Sequence, residues 1–125
     1  MAENFWEILY STRTYATGGS NGGNGSAMAT TEHWGEPTAL LPTLTFTNQE
    51  FCTQYNLLNL LMYLLRWSGD VKYADHFERA YYNGIWGNQW PERPGVMLYY
   101  TPLGMGYNKG YNGSLGWGTP FDSFW

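Results

Sequence analysis

The stretch Thr47-Asn48-Gln49-Glu50-Phe51-Cys52-Thr53-Gln54-Tyr55-Asn56-Leu57-Leu58-Asn59-Leu60-Leu61-Met62-Tyr63-Leu64-Leu65-Arg66-Trp67 decides how this chain folds. Thr47 and Glu50 occupy the two ends of a capping box, in which each side chain satisfies an orphan N–H of the first helical turn. The pattern predicts a helix that opens here and runs to about Trp67. From Leu57 to Leu65 it is apolar on nearly every face, and the only charge between Glu50 and Asp70 is Arg66. A helix that is apolar all round belongs in an interior. A chain of 125 residues has little material with which to surround it.

On the C-terminal side, Ser68-Gly69-Asp70 stops this helix and caps the next. The second helix is expected over about 71–83, with Tyr73, Ala74, Phe77 and Tyr81 on one face. Asp75 and Arg79 should pair at i, i+4 on the wet face, and Gly84 should end it. The two helices make an αα-hairpin. Pro91-Glu92-Arg93-Pro94-Gly95 reads as a turn into Val96–Tyr100, the best strand candidate. On the N-terminal side, 3–10 can form a short helix on Phe5, Trp6, Leu9 and Tyr10. Residues 17–26 hold five glycines and form a loop, either a flexible connector or a place where backbone approaches a ligand closely. No Gly-Lys-Ser/Thr follows, so it is not a P-loop. Residues 30–47 look irregular, with Pro37 and Pro42 as breakers.

Composition narrows the class. Aromatic residues make up 19% of the chain and charged residues only 13%, about half the roughly 25% of an average domain. This is the opposite of a disordered composition. With a net charge of −4 and six Lys+Arg, the chain lacks the basic patch of a nucleic-acid module. No apolar stretch reaches the roughly 18 residues of a membrane span. The N-terminus is acidic and shows no signal-peptide pattern, which leaves localisation open, as is the oligomeric state. One cysteine excludes a disulfide within the chain.

Three places offer chemistry. Glu32, His33 and Glu36 cluster around Trp34. A carboxylate beside an indole can serve as a general acid with a raised pKa, or simply face water. Glu50 and Cys52 place a carboxylate and a thiol at a helix start, where the dipole favours a thiolate and a metal can bind. In a regular helix i and i+2 diverge, so joint ligation requires an irregular first turn. Otherwise Glu50 is a cap and Cys52 a small buried side chain. His76 lies 43 positions from His33, without ligand spacing, and reads as structural or exposed. The surplus rings are core or platforms on which sugars stack.

Seven patches then fall in order: Thr17-Gly18-Gly19; Glu32-His33-Trp34; Glu50-Phe51-Cys52-Thr53-Gln54-Tyr55-Asn56; Arg66-Trp67-Ser68-Gly69-Asp70; Tyr73-Ala74-Asp75 with Glu78-Arg79-Ala80-Tyr81-Tyr82-Asn83-Gly84; Tyr100-Thr101-Pro102-Leu103-Gly104; and Gly118-Thr119-Pro120-Phe121-Asp122-Ser123-Phe124-Trp125. In this order and spacing they resemble the catalytic domain of glycoside hydrolase family 127, the β-L-arabinofuranosidase-like proteins, in its plant-like branch. The resemblance implies a mainly α fold. Residues 1–125 would be a single partial domain, the central part of an (α/α)6 catalytic toroid, with a short β-hairpin or strand and long Gly-rich loops. It implies a retaining glycosidase acting on arabinofuranosyl glycans or glycoproteins. Glu32 falls on the acid/base position, with Glu36 as the fallback. Glu50 and Cys52 fall on two zinc ligands, and Tyr99, with Trp34 and His33, on substrate contacts. The family's Cys-Cys pair, which supplies a further ligand and the nucleophile, would follow Trp125. The chain is therefore expected to be a fragment, inactive alone. The other readings are a non-catalytic sugar-binding protein with aromatic platforms, and a truncated gene product without independent function.

Overall fold

The computed structural model describes residues 1–20 and 34–109, together with the backbone of 117–118. It is mainly helical. Helix α1 spans Ala2–Thr12, α2 Phe51–Ser68 and α3 Val71–Ala80. The short strands are β1 (Asn48–Glu50), β2 (Met97–Leu98), β3 (Tyr100–Thr101) and β4 (Trp117–Gly118). They form two antiparallel pairs, β1 with β3 and β2 with β4.

The αα-hairpin forms as its local signals direct. Gly69 takes the left-handed conformation (φ +70°), and its N–H closes on the Leu65 carbonyl at 2.8 Å. Glycine adopts this C-terminal conformation without the Cβ penalty. Asp70 then caps α3, its Oδ1 accepting from the Lys72 N–H at 3.0 Å. Between the helices lie Leu57, Leu61, Leu64 and Tyr73, and α1 adds Trp6 to this core. No described helix is long and apolar enough to cross a membrane.

Several local expectations give way to tertiary structure. Residues Asn48–Glu50 are a strand, and α2 starts at Phe51 with no side-chain cap. The Thr47 side chain contacts that of Thr45 at 3.1 Å, so no capping box forms. Pairing with β3 competes for this backbone and wins. Helix α2 is not enclosed on all sides either. It buries Phe51, Gln54, Leu57, Leu58, Leu61 and Leu64, at helical spacing, while Tyr55, Tyr63 and Trp67 are exposed. The described α1 and α3 cover only one of its sides.

Gly84 does not stop α3. The chain widens after Ala80 into a π-helical turn, Tyr81–Ile85, with Gly84 buried inside it, and then tightens into a 3₁₀ turn, Trp86–Asn88. Arg79 lies over the Tyr10 ring at 5.7 Å instead of meeting Asp75. Among the described residues the ion pair is Lys72–Asp70, at 3.3 Å. Strand Val96–Tyr100 breaks at Tyr99, so its two ends pair with different partners. The start of the glycine loop is not a free connector. Gly18, Gly19 and Ser20 are buried, and a Cβ on Gly18 would come within 2.7 Å of the Ala80 backbone nitrogen. The rest of that loop lies outside the described residues.

Candidate functional site

The site is built where β1 turns into α2. Asn48 pairs with Thr101, but Glu50 pairs with Tyr100. One more residue is spent on β1 than on β3, and that residue is Gln49. This is a β-bulge. Gln49 has φ +50°, a left-handed conformation that costs a non-glycine residue about 1–2 kcal/mol. The Phe51 N–H then bonds the Tyr99 carbonyl at 2.8 Å. Glu50 is thus the last strand residue and Cys52 the second residue of the helix. The irregular junction that joint action of these two residues requires is the strand-to-helix break itself.

Tyr99 draws the two together. Its hydroxyl lies 2.5 Å from Glu50 Oε1 and 3.3 Å from Cys52 Sγ. A phenol has one proton, and the shorter, carboxylate-bound contact takes it. The thiol then faces the lone pairs of the phenol oxygen. Burial raises the Tyr99 pKa far above its usual value, and the contacts with Cys52 and Glu50 push it in the same direction. Tyr99 therefore remains a proton donor throughout the neutral range. Thr53 Oγ1 approaches Glu50 Oε2 at 3.5 Å. Glu50 itself is buried, at 6% exposure.

Cys52 also lines a cleft of about 420 Å³ with Thr53, Asn56, Ser20, Trp34 and Phe5 along its walls. Trp34 is partly exposed, at 41%. Its indole N–H donates to Ser20 Oγ at 2.8 Å, and its ring meets Phe5 edge-on at 5.9 Å. An indole so held presents a fixed face to a ligand. Glu36 sits in an exposed turn and is not among the cleft residues. Glu32 and His33 lie outside the described residues.

The donor chemistry can be tested against zinc. Carboxylate and thiolate are both zinc ligands, and Glu50 and Cys52 converge on one point. A tetrahedral site needs four positions filled. Among the described residues no group of three or more His, Cys, Asp or Glu side chains is placed to hold a metal. The pair by itself does not make a zinc site.

Some of the polar architecture escapes sequence reading. Gln49, Gln54 and Asn88 are fully buried, and among the described residues Gln49 Nε2, both polar atoms of the Gln54 amide and Asn88 Oδ1 have no hydrogen-bond partner. Each such group costs about 1–3 kcal/mol. Nothing in a Thr-Asn-Gln-Glu string announces this, because the same string reads as a cap. His76 is structural: it accepts from the Trp6 indole N–H at Nδ1, 2.9 Å away, and its Nε2 lies 2.8 Å from the Gly18 carbonyl. That pair of contacts requires the neutral tautomer with the proton on Nε2. Burial holds its pKa below the usual value, with the Arg79 charge adding to the effect.

Residues 1–125 match the family described as β-L-arabinofuranosidase, GH127 catalytic domain. No curated protein matches the chain.

Proposed function

Because the chain belongs to the GH127 β-L-arabinofuranosidase catalytic-domain family, we propose that its cleft receives an arabinofuranosyl residue, with Trp34 as the platform and the Glu50–Cys52–Tyr99 cluster at the reacting end. The family is one of glycoside hydrolases, so the substrate class is carbohydrate. The observation that supports the finer reading is the Tyr99 hydroxyl, which joins a buried carboxylate and the thiol of Cys52, a residue that lines the cleft. Glu32 is the proposed acid/base of the family reaction: it would protonate the leaving oxygen as a thiolate bonds to the anomeric carbon, and then deprotonate the water that displaces that thiolate. Glu36, in its exposed turn, is the weaker candidate.

The helical hairpin is compatible with part of an (α/α)6 toroid, in which further helices would cover the exposed rings of α2. Glu50 and Cys52 are proposed as half of a zinc donor set, whose other half in the family is a Cys-Cys pair that this one-cysteine chain does not hold. Its one cysteine is Cys52, and the resemblance assigns the nucleophile to a different thiol, one of that Cys-Cys pair. The 125-residue chain is therefore expected to bind but not to hydrolyse.

The experiment is twofold. An aryl β-L-arabinofuranoside should give no product above background with this chain, and turnover would overturn the claim that a second thiol is required. Titration with a methyl L-arabinofuranoside, followed by NMR of the indole N–H signals, should show saturable binding that Trp34→Ala weakens at least about tenfold, the loss expected for a ring contact worth about 1.4 kcal/mol. Binding that Trp34→Ala and Tyr99→Phe both leave unchanged would overturn the placement of the sugar.

A further inference from the structure

We propose that Gln49 is a positioning residue: its clamped side chain holds the left-handed turn that brings Glu50 and Cys52 to Tyr99. The inference rests on the reading of that cluster as the reacting end of the site.

Each residue of slip along a strand moves its neighbours by about 3.3 Å. The contacts of Tyr99 with Glu50 and Cys52 are 2.5 and 3.3 Å, so loss of the bulge would remove both. The bulge has to be held, because its central residue is neither glycine nor asparagine and prefers negative φ.

What holds it lies far away in sequence. The Thr17 hydroxyl donates to Gln49 Oε1. Gly19 leaves the room that the Gln49 side chain fills, since a Cβ there would overlap it. On another side a Cβ at Gly84, inside the π-helical turn, would fall 2.8 Å from Gln49 Nε2. The side chain is thus gripped between the Thr17–Gly19 loop and the π turn, and its exposure is 0%. A strained conformation persists only where its surroundings over-determine it, and these surroundings do. Nε2 has no hydrogen-bond partner among the described residues, so the fit is one of shape and of the Thr17 contact, not of complete hydrogen bonding. A left-handed glutamine with an unsatisfied amide is a poor choice for stability alone. Departures of this kind gather at functional sites.

Cys52 is the only cysteine, so the rate of its alkylation by iodoacetamide at fixed pH reads the cluster directly, without any sugar. Tyr99→Phe sets the reference. Gln49→Ala should shift the rate about fivefold or more in the same direction, and should add less than about twofold in the Tyr99→Phe background, because both act on one contact. Gln49→Gly, which adopts the left-handed turn freely, should return the rate towards that of the parent. Should Gln49→Ala not fold, Thr17→Ala, which removes only the hydroxyl on Oε1, carries the same expectation of sign and non-additivity. A parent-like rate in Gln49→Ala and Thr17→Ala, or effects that multiply in the double variants, overturns the proposal. It can fail while arabinoside binding stands, and arabinoside binding can fail while the coupling of Gln49 to Tyr99 stands.

Discussion

Where α2 faces α3, the buried side chains are Leu57, Leu61, Leu64 and Tyr73. Where its first turn meets the strands, Asn48, Gln49, Glu50, Gln54 and Thr101 are buried beside Phe51 and Tyr100. One helix therefore spans an apolar interior and a mixed one rich in polar side chains. The first is held by apolar area, which is non-directional and tolerant of small shifts. The second is held by hydrogen bonds, which are directional and fail abruptly when geometry changes. Within the second region satisfaction is uneven. Asn48 is well served, donating to the Tyr15 hydroxyl at 3.0 Å and the Thr43 carbonyl at 2.8 Å and accepting from the Thr45 N–H at 2.6 Å. Gln54, equally buried, has neither of its amide atoms paired among the described residues. The lesson is that stability is concentrated in the hairpin, whereas the junction gives up some of it to fix the positions of Glu50, Cys52 and Tyr99.

The contrast can be broken most forcefully in the hairpin. Leu61 is 0% exposed, and Leu61→Ala should cost about 2–5 kcal/mol through lost burial and the cavity left behind. Urea denaturation checks this, and a loss below about 1 kcal/mol would mean that the core is looser than its packing indicates. A smaller effect is expected from pH. The folded-state pKa of His76 lies below the 6.5 of the unfolded chain, so the unfolded chain takes up the proton first. The His76 contribution is fully present above pH 6.5 and is lost as pH falls below it. Thermal melts between pH 7.5 and 5 should show this decline, and it should be reduced in His76→Gln. Equal slopes in the two proteins would remove His76 as the cause. The smallest effect sharpens the comparison from the other side. Gln54→Met keeps the side-chain length and removes two unpaired polar atoms, so its melting temperature should stay level or rise. A large fall would show that the Gln54 amide is paired in solution.

Much of the hairpin is legible in the sequence, because its signals are local. Gly69, Asp70 and the repeat of Leu57, Leu61 and Leu64 act within one or two turns of the chain. The candidate site is legible only in part. Glu50, Cys52 and Tyr99 stand out by resemblance, yet the string Thr47–Glu50 points locally to a helix start and forms a strand edge instead. Its competitor, Thr101, is more than 50 positions away, and no local pattern weighs a hydrogen-bonded pairing at that distance. The same limit applies to the apolar helix: its composition asks for burial on every side, but burial depends on what packs there, and α1 and α3 supply one side.

The sequence by itself determined the two-helix hairpin, the Gly69 and Asp70 caps at its joint and its apolar seam, since each depends on neighbours a few residues apart. Only the tertiary structure decided the bulge at Gln49, the burial of Gly18 and Gly19 against distant backbone and the meeting of Tyr99 with Glu50 and Cys52. These depend on contacts between segments roughly 30 to 65 residues apart, where the cost of closing a long loop is repaid by packing that no single segment contains.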